Sequence, residues 1–437
     1  MRRLGLYFGA WAGKLPAFLF EDVTVNRVPD VERPAAPPPS PSEFLADLAP
    51  TLAVNGLIGF MFAATGPVAV ILSIGTAGGL DRTQLASWIF GAFFVNGLVT
   101  ILLSWRYRLP LVCFWTIPGA VLVGQALDHA SHAEVLGAYL LTGALMTALG
   151  VSGWMSRLQS LMPMTIVMGM VAGVFLRFGL DLVRAVHQDV VIAGPMVLTF
   201  VALSALPRLS GRIPTLLSVV MPPMIGALLV GALAIAWGGR MDWSGGSNLS
   251  VIPPSLYWPA FSLPVLLELV VPLAITVLVV QNGQGYAVLK SVGHAAPVNA
   301  VTMACGAASM LTTFVGCVST CLTGPTNAIV SSSGERHRHY TGAITVGLLA
   351  VAFGLVASAF TTLMLATPKA FIATLGGLAM LRALQGSFTT AFSGTYPLGA
   401  LVAFLVTVAD LPLLNVGAAF WGLVFGMATS FLLERRD

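Results

Sequence analysis

From Thr51 to Leu433 the chain is a succession of apolar blocks with almost no charge inside them, and this pattern admits few folds. In hydrocarbon every backbone N–H and C=O must be satisfied within the protein, so a crossing segment needs about 20 apolar residues wound as a helix. The blocks have helix length. Charged residues make up only 9% of the 437 residues, where a soluble domain carries roughly 25%. A mean hydropathy of +0.90 points the same way. The class is therefore an all-α polytopic membrane protein, with the lipid bilayer as its first partner. The net charge of +4 comes from basic residues between blocks, where they set orientation, and no nucleic-acid partner is expected. Cys113, Cys305, Cys317 and Cys321 lie in apolar sequence without a C-x-x-C pair and are read as buried free thiols, with no disulfide, no metal and no cofactor.

Counting blocks between charges and turn residues predicts about fourteen spans. Seven lie within residues 49–237 and seven within 263–437, separated by a polar Trp- and Pro-containing loop at 238–262 that is expected to be periplasmic. Residues 1–48 form an arm outside the spans. Arg2 and Arg3 precede a mixed stretch to Phe20 with no cleavage site, which reads as a cytosolic or interfacial segment, and Pro34–Pro41 reads as a stiff extended linker. With the N-terminus in the cytosol, the inside loops hold Arg106, Arg108, Arg157, Arg208, Arg212, Lys290, Arg336, Arg338 and Arg382, and outside there are only Arg82, Arg184, Arg240 and Lys369. The bias places both termini in the cytosol of a bacterial inner-membrane protein. Seven spans per half is an odd number, so the second copy of such a repeat is inverted.

The third span of each half carries the same local signal. Leu111–Trp115 is β-prone and runs into Thr116-Ile117-Pro118-Gly119; Val318-Ser319-Thr320-Cys321-Leu322 runs into Thr323-Gly324-Pro325. Thr is a good N-cap, and Pro is tolerated in a first turn because its missing N–H would be unpaired there anyway. Each motif reads as a helix beginning inside the membrane after a short strand, with N–H groups and positive partial charge available to an anion or a hydrogen-bond acceptor. Thr116, Ile117, Pro118, Gly119, Ser319, Thr320, Thr323 and Gly324 are the candidates from these motifs. The bland alternative is a pair of Pro kinks satisfied by neighbouring helices. Thr65-Gly66-Pro67 in the first span is a third such triplet, expected to break that helix near the same depth.

Arg106-Tyr107-Arg108-Leu109-Pro110 followed by Trp115-Thr116-Ile117-Pro118-Gly119-Ala120 resembles the third span of the benzoate/proton symporter family. Gln281-Asn282-Gly283-Gln284-Gly285-Tyr286 resembles the end of that family's eighth span, and Ala86–Ile89 and Leu176–Asp181 match further stretches. The resemblance runs from about Thr51 to the C-terminus. It implies a fold shared with uracil permeases and sulfate-type anion transporters, in which a core domain moves against a gate domain, and it implies a homodimer. It also implies that Gln281 and Asn282 sit beside the substrate, with Gly283 allowing close backbone approach. The family's His before the second half-helix is replaced by Gly316-Cys317-Val318-Ser319, and its Ser before Gln-Asn is Val280.

With that His absent, Glu268, an acid inside the eighth span, is the candidate proton carrier; snorkelling to the membrane surface is the plainer reading. Arg177 and Asp181, four apart on one helix, read as a structural ion pair. Asp410 reads as the cap that starts the last span. Phe60, Phe62, Phe114, Trp115, Tyr286 and Phe314 are aromatics near the expected site, where an aromatic substrate could stack. The function implied is a secondary active transporter that imports a small organic anion, an aromatic carboxylate such as benzoate, by proton symport with alternating access. Another anion or a nucleobase is the alternative within transport. A membrane-embedded enzyme would need clustered catalytic groups, and no such cluster is visible in the sequence.

Overall fold

The computed structural model describes residues 31–155, 163–209, 223–243, 251–332, 334–410, 413 and 418–434. The expected interfacial segment Met1 to Phe20 and the terminal Arg435 and Arg436 lie outside them. In chain order the elements are α1 (Pro41–Asp47), α2 (Pro50–Ala77), α3 (Arg82–Tyr107), β1 (Cys113–Trp115), α4 (Ile117–Leu127), α5 (His132–Ser152), α6 (Met164–Gln188), α7 (Val190–Leu209), α8 (Pro223–Trp237) and α9 (Leu263–Ser291). After these come α10 (Val298–Thr313), β2 (Thr320–Leu322), α11 (Gly324–Val330), α12 (His339–Leu355), α13 (Ala357–Leu365), α14 (Lys369–Phe392), α15 (Pro397–Ala409) and α16 (Ala418–Glu434).

Among the described residues six helices are long and apolar enough to cross a membrane, namely α2, α3, α5, α6, α9 and α14. The segment through α12 and α13, expected as one span, bends by 68° at Val356. Two other boundaries move. Counting apolar blocks ends the eighth span at Gln281 and the twelfth at Ala383, whereas the helices continue to Ser291 and Phe392. The break expected at Thr65-Gly66-Pro67 does not form. α2 runs through Pro67, and the Thr65 hydroxyl donates back to the Met61 carbonyl at 2.8 Å. A proline inside a membrane helix removes one backbone bond and need not end the helix when neighbours pack around it.

The blocks at Leu111 and Phe314 are strand-then-helix units, as their Thr-x-Pro motifs predict. β1 and β2 pair antiparallel, Phe114 opposite Cys321. The ladder extends one bond at each end, with Thr116 N–H donating to the Ser319 carbonyl and Thr323 N–H to that of Val112, both at 3.0 Å. Side chains close the outer edges. Thr100 Oγ1 bonds both the N–H (2.9 Å) and the carbonyl (3.1 Å) of Cys113. Asn327 does the same for Val112, accepting at 3.0 Å and donating at 3.1 Å. Leu322 N–H donates to Asn282 Oδ1 at 2.7 Å, and Thr320 N–H to Ser309 Oγ at 2.9 Å. An unpaired peptide group in hydrocarbon costs several kcal/mol, so this fringe of hydroxyls and amides is what permits a two-stranded sheet there.

Two helices change their winding to supply it. α3 contains a π turn at Gly91–Val95 and α9 another at Thr276–Gln281. The residue after each, Asn96 and Asn282, bonds β2: Thr320 Oγ1 donates to Asn96 Oδ1 at 2.7 Å. A π turn adds one residue to a helical turn and rotates the side chains beyond it to a new face. Around the sheet, α5 packs on α10 and α9, and α3 on α12, while α6 packs on α14 and α15. Backbones approach closely in several of these contacts. A Cβ on Gly150 would lie 2.5 Å from Met303 N, and one on Gly354 would lie 2.6 Å from Phe94 N. Small residues at such crossings are the means by which membrane helices gain contact without a hydrophobic driving force.

The Pro-rich stretch, without regular secondary structure, is strapped down. Glu32 accepts from the backbone N–H of Asn299 and Ala300 at the start of α10, and Arg108 donates to the Pro37 carbonyl and pairs with Glu43. Nearby, His294 is buried in the loop before α10 and contacts His339 at 3.1 Å. Burial, with the charges of His339 and Arg336, pushes His294 from 6.5 down to about 4.

We expect Asn327→Leu, which leaves the Val112 N–H unpaired while its carbonyl keeps the Thr323 N–H, to cost about 1–3 kcal/mol and to lower the melting temperature of the detergent-solubilised protein. A melting temperature equal to wild type would remove the sheet edge from this account. His294 binds a proton more readily unfolded than folded, so its contribution is intact above pH 6.5 and is lost as pH falls through about 4. Melting temperatures across that window should fall less steeply for His294→Asn; parallel curves would discount the histidine.

Candidate functional site

A cavity of about 600 Å³ opens beside the strand pair. Ile58, Phe62, Thr65 and Pro67 come to it from α2, Phe114 and Trp115 from β1, and Ile117 and Pro118 from α4. Val280, Gln281 and Gln284 come from α9, and Thr323, Pro325 and Thr326 from the start of α11. The opposite wall is Met168, Val171 and Phe175 of α6 with Leu378, Arg382 and Ser387 of α14. This is a size and lining suited to a small organic molecule, apolar over most of its surface with a few polar groups.

The two helix starts are more fully capped than their sequences imply. Gly119 N–H donates to Thr116 Oγ1 and Thr326 N–H to Thr323 Oγ1, each at 3.2 Å. With Pro at the second position of each helix, one N–H per first turn is left, those of Ile117 and Gly324. Ile117 faces the cavity. Gln281 reaches it from a buried position, its amide without a hydrogen bond among the described residues. The π turn that ends at Gln281, a few residues after the helix-weakening Pro272, sets that direction.

Of the residues expected at the site, Phe62, Thr65, Ile117, Pro118, Gln281 and Thr323 line this cavity. Thr116 and Gly119 are buried behind it as cap and capped residue. Asn282 holds Leu322, Thr320 holds Asn96, and the Ser319 carbonyl holds Thr116, so these three build the sheet. Gly283 has open space where a side chain would project, and Gly324 abuts Gln284. Phe114 and Trp115 line the cavity. Phe60 packs on Phe93 and Phe353, the Tyr286 hydroxyl bonds the Val298 carbonyl, and Phe314 meets Trp258.

The charged candidates find other partners. Arg177 and Asp181 do not pair with each other: Arg177 bonds Asp410, and Asp181 bonds Arg184 at 2.9 Å. Spacing on one helix allows a pair, but a residue from another element competes for the same group. Asp410 is the left-handed C-cap of α15, at φ 54°, rather than the start of the last helix. Glu268 is buried, 5% exposed, and bonds His129 Nε2 at 2.9 Å, outside the cavity lining. Arg382, counted from sequence as a loop residue, lies within α14 and is the only charged side chain among the described residues that line the cavity. An uninterrupted helical pattern beyond Ala383 was the available signal for it.

The family profile described as benzoate membrane transport protein matches residues 46–432. The chain is 28% identical over 387 residues to the inner membrane protein YdcO of Escherichia coli (strain K12), covering 87% of this chain and 95% of that one. It is 26% identical over 384 residues to the benzoate membrane transport protein of Acinetobacter baylyi, covering 87% and 94%. Among solved structures, SLC26A9 matches with a TM-score of 0.62 at 14% identity over 87% of this chain, which spans 64% of that one. The transmembrane domain of the cyanobacterial bicarbonate transporter BicA matches with a TM-score of 0.56 at 16% identity, covering 86% and 97%. The fold is thus shared with both, and by its match over most of its length the chain belongs to the benzoate membrane transport protein family.

Proposed function

We propose that the protein imports a small aromatic carboxylate, benzoate or a close relative, by proton symport. The observation that carries this is the cavity beside the strand pair: its walls include Phe62, Phe114, Trp115 and Phe175, and the Gln281 amide and the Ile117 N–H, neither hydrogen-bonded among the described residues, converge on it. An aromatic ring suits those walls, and a carboxylate accepts from those donors. The family supports the same substrate class.

Alternating access is the motion expected of a 7+7 inverted repeat, a reading supported by matched contacts in the two halves. α3 packs on α12 as α10 packs on α5; α2 packs on α4 as α9 packs on α11. In this reading α2–α5 and α9–α13 form the core and α6–α8 and α14–α16 the gate, with the cavity between them. Both termini are cytosolic, as the basic residues between spans favour, and the molecule is a homodimer like the family it resembles. Glu268 with His129 is the proton-carrying pair: with one proton between them the buried carboxyl and the imidazole carry no net charge, and on release the Glu268 carboxylate keeps its hydrogen bond to a neutral His129, the negative charge it gains being what couples the pair to a proton.

Proteoliposomes should accumulate labelled benzoate faster under an inward proton gradient than without one; uptake indifferent to the gradient would exclude symport. Gln281→Ala should weaken benzoate binding by roughly tenfold, the worth of one hydrogen bond to a charged acceptor, and equal affinity by calorimetry would move the site. Glu268→Gln should bind benzoate normally yet fail to accumulate it against a gradient, and gradient-driven accumulation by that variant would clear Glu268 of the proton role.

A further inference from the structure

α14 lies antiparallel beside α2. A Cβ on Gly66 would lie 2.5 Å from that of Ala379, and one on Gly376 would lie 3.9 Å from the Ala69 carbonyl oxygen. The two contacts share one register, in which Arg382, one turn beyond Ala379, falls opposite Ala63, and both residues line the cavity. Arg382 is about 15 Å along the helix axis from the end of α14 at Phe392. Its side chain is exposed, and it makes no ion pair or hydrogen bond among the described residues. A cation at such depth is expensive unless it faces a partner or a polar cavity. No acid lines this cavity among the described residues, and the other polar side chains lining it are neutral hydroxyls, amides and the Trp115 indole.

We propose that Arg382 is the residue that recognises the substrate's negative charge. It binds the carboxylate from the α14 wall while the apolar part of the anion lies against Phe62, Phe114 and Trp115. This rests on the reading of the cavity as an anion site and assigns the charge selectivity of that site to one group. It also divides the labour. Gln281 and Ile117 on the facing wall supply neutral donors that any acceptor could use, and the guanidinium discriminates an anion from its neutral analogue. A guanidinium presents paired N–H groups that match a carboxylate, which an ammonium does not.

The test measures affinities of the purified full-length protein for benzoate, neutral benzamide, acetate and bicarbonate by calorimetry, in wild type, Arg382→Gln and Arg382→Lys. Wild type should prefer benzoate over benzamide by roughly tenfold or more. Arg382→Gln should lose about 10- to 100-fold in benzoate affinity with benzamide unchanged, and Arg382→Lys should retain part of the preference. Unchanged benzoate affinity in Arg382→Gln overturns the proposal, as does a wild type that binds none of the three anions. A wild type that ignores benzoate but binds acetate or bicarbonate, with the loss in Arg382→Gln, upholds Arg382 and rejects the aromatic substrate.

Discussion

The rest of the structure depends on the need to satisfy backbone groups where no water can reach them. Two three-residue strands meet inside a bundle of apolar helices, and their ladder reaches from Val112–Thr323 to Thr116–Ser319. The helices around them supply, at particular positions, the polar side chains that finish it. Thr100, Asn327, Asn282 and Ser309 each close a backbone group of the strands. Without them the strands would be open edges in hydrocarbon, which membrane proteins do not tolerate. With them, the chain can begin two helices beside an internal cavity.

Irregular helix geometry is part of the same solution. The π turns at Gly91–Val95 and Thr276–Gln281 forfeit regular hydrogen bonding for a few residues. In return Asn96 and Asn282 face β2, and in α9 the turn separates two adjacent amides by role. Gln281 faces the cavity and Asn282 faces the sheet. Adjacent helical residues point about 100° apart, so one pair of amides can serve a binding surface and a structural edge at once.

The helix starts were legible in the sequence because their signals are local: a Thr cap and a Pro in the first turn act within four residues, and both caps form as expected. The family was legible through motifs that survive low overall identity. What was not legible depends on which distant residue arrives. Arg177 could have paired with Asp181 along its helix, and only the fold brings Asp410 to it. Asn282 looked like Gln281's partner at the site, because nothing in the chain marks that Leu322 will present an unpaired N–H there. Arg382 was misplaced because a charge ends an apolar block when read along the chain, whereas in space a charge can sit inside a helix that borders a cavity. His129 obeys the same rule, since its meaning comes from Glu268.

The antiparallel ladder joins segments on either side of position 200, and this bears on assembly. At about 5–20 residues per second, β1 leaves the ribosome on the order of 10–40 s before β2 exists to pair with it. During that interval the first half-helix has its cap and no finished strand, in a bilayer that penalises the open backbone. Neither half of the chain can complete its own binding wall. The early segment must wait beside the insertion machinery, at the membrane surface or against its own neighbours, until the later one arrives. Biogenesis of this fold is therefore post-insertional at its centre: helices enter in sequence, and the site closes last.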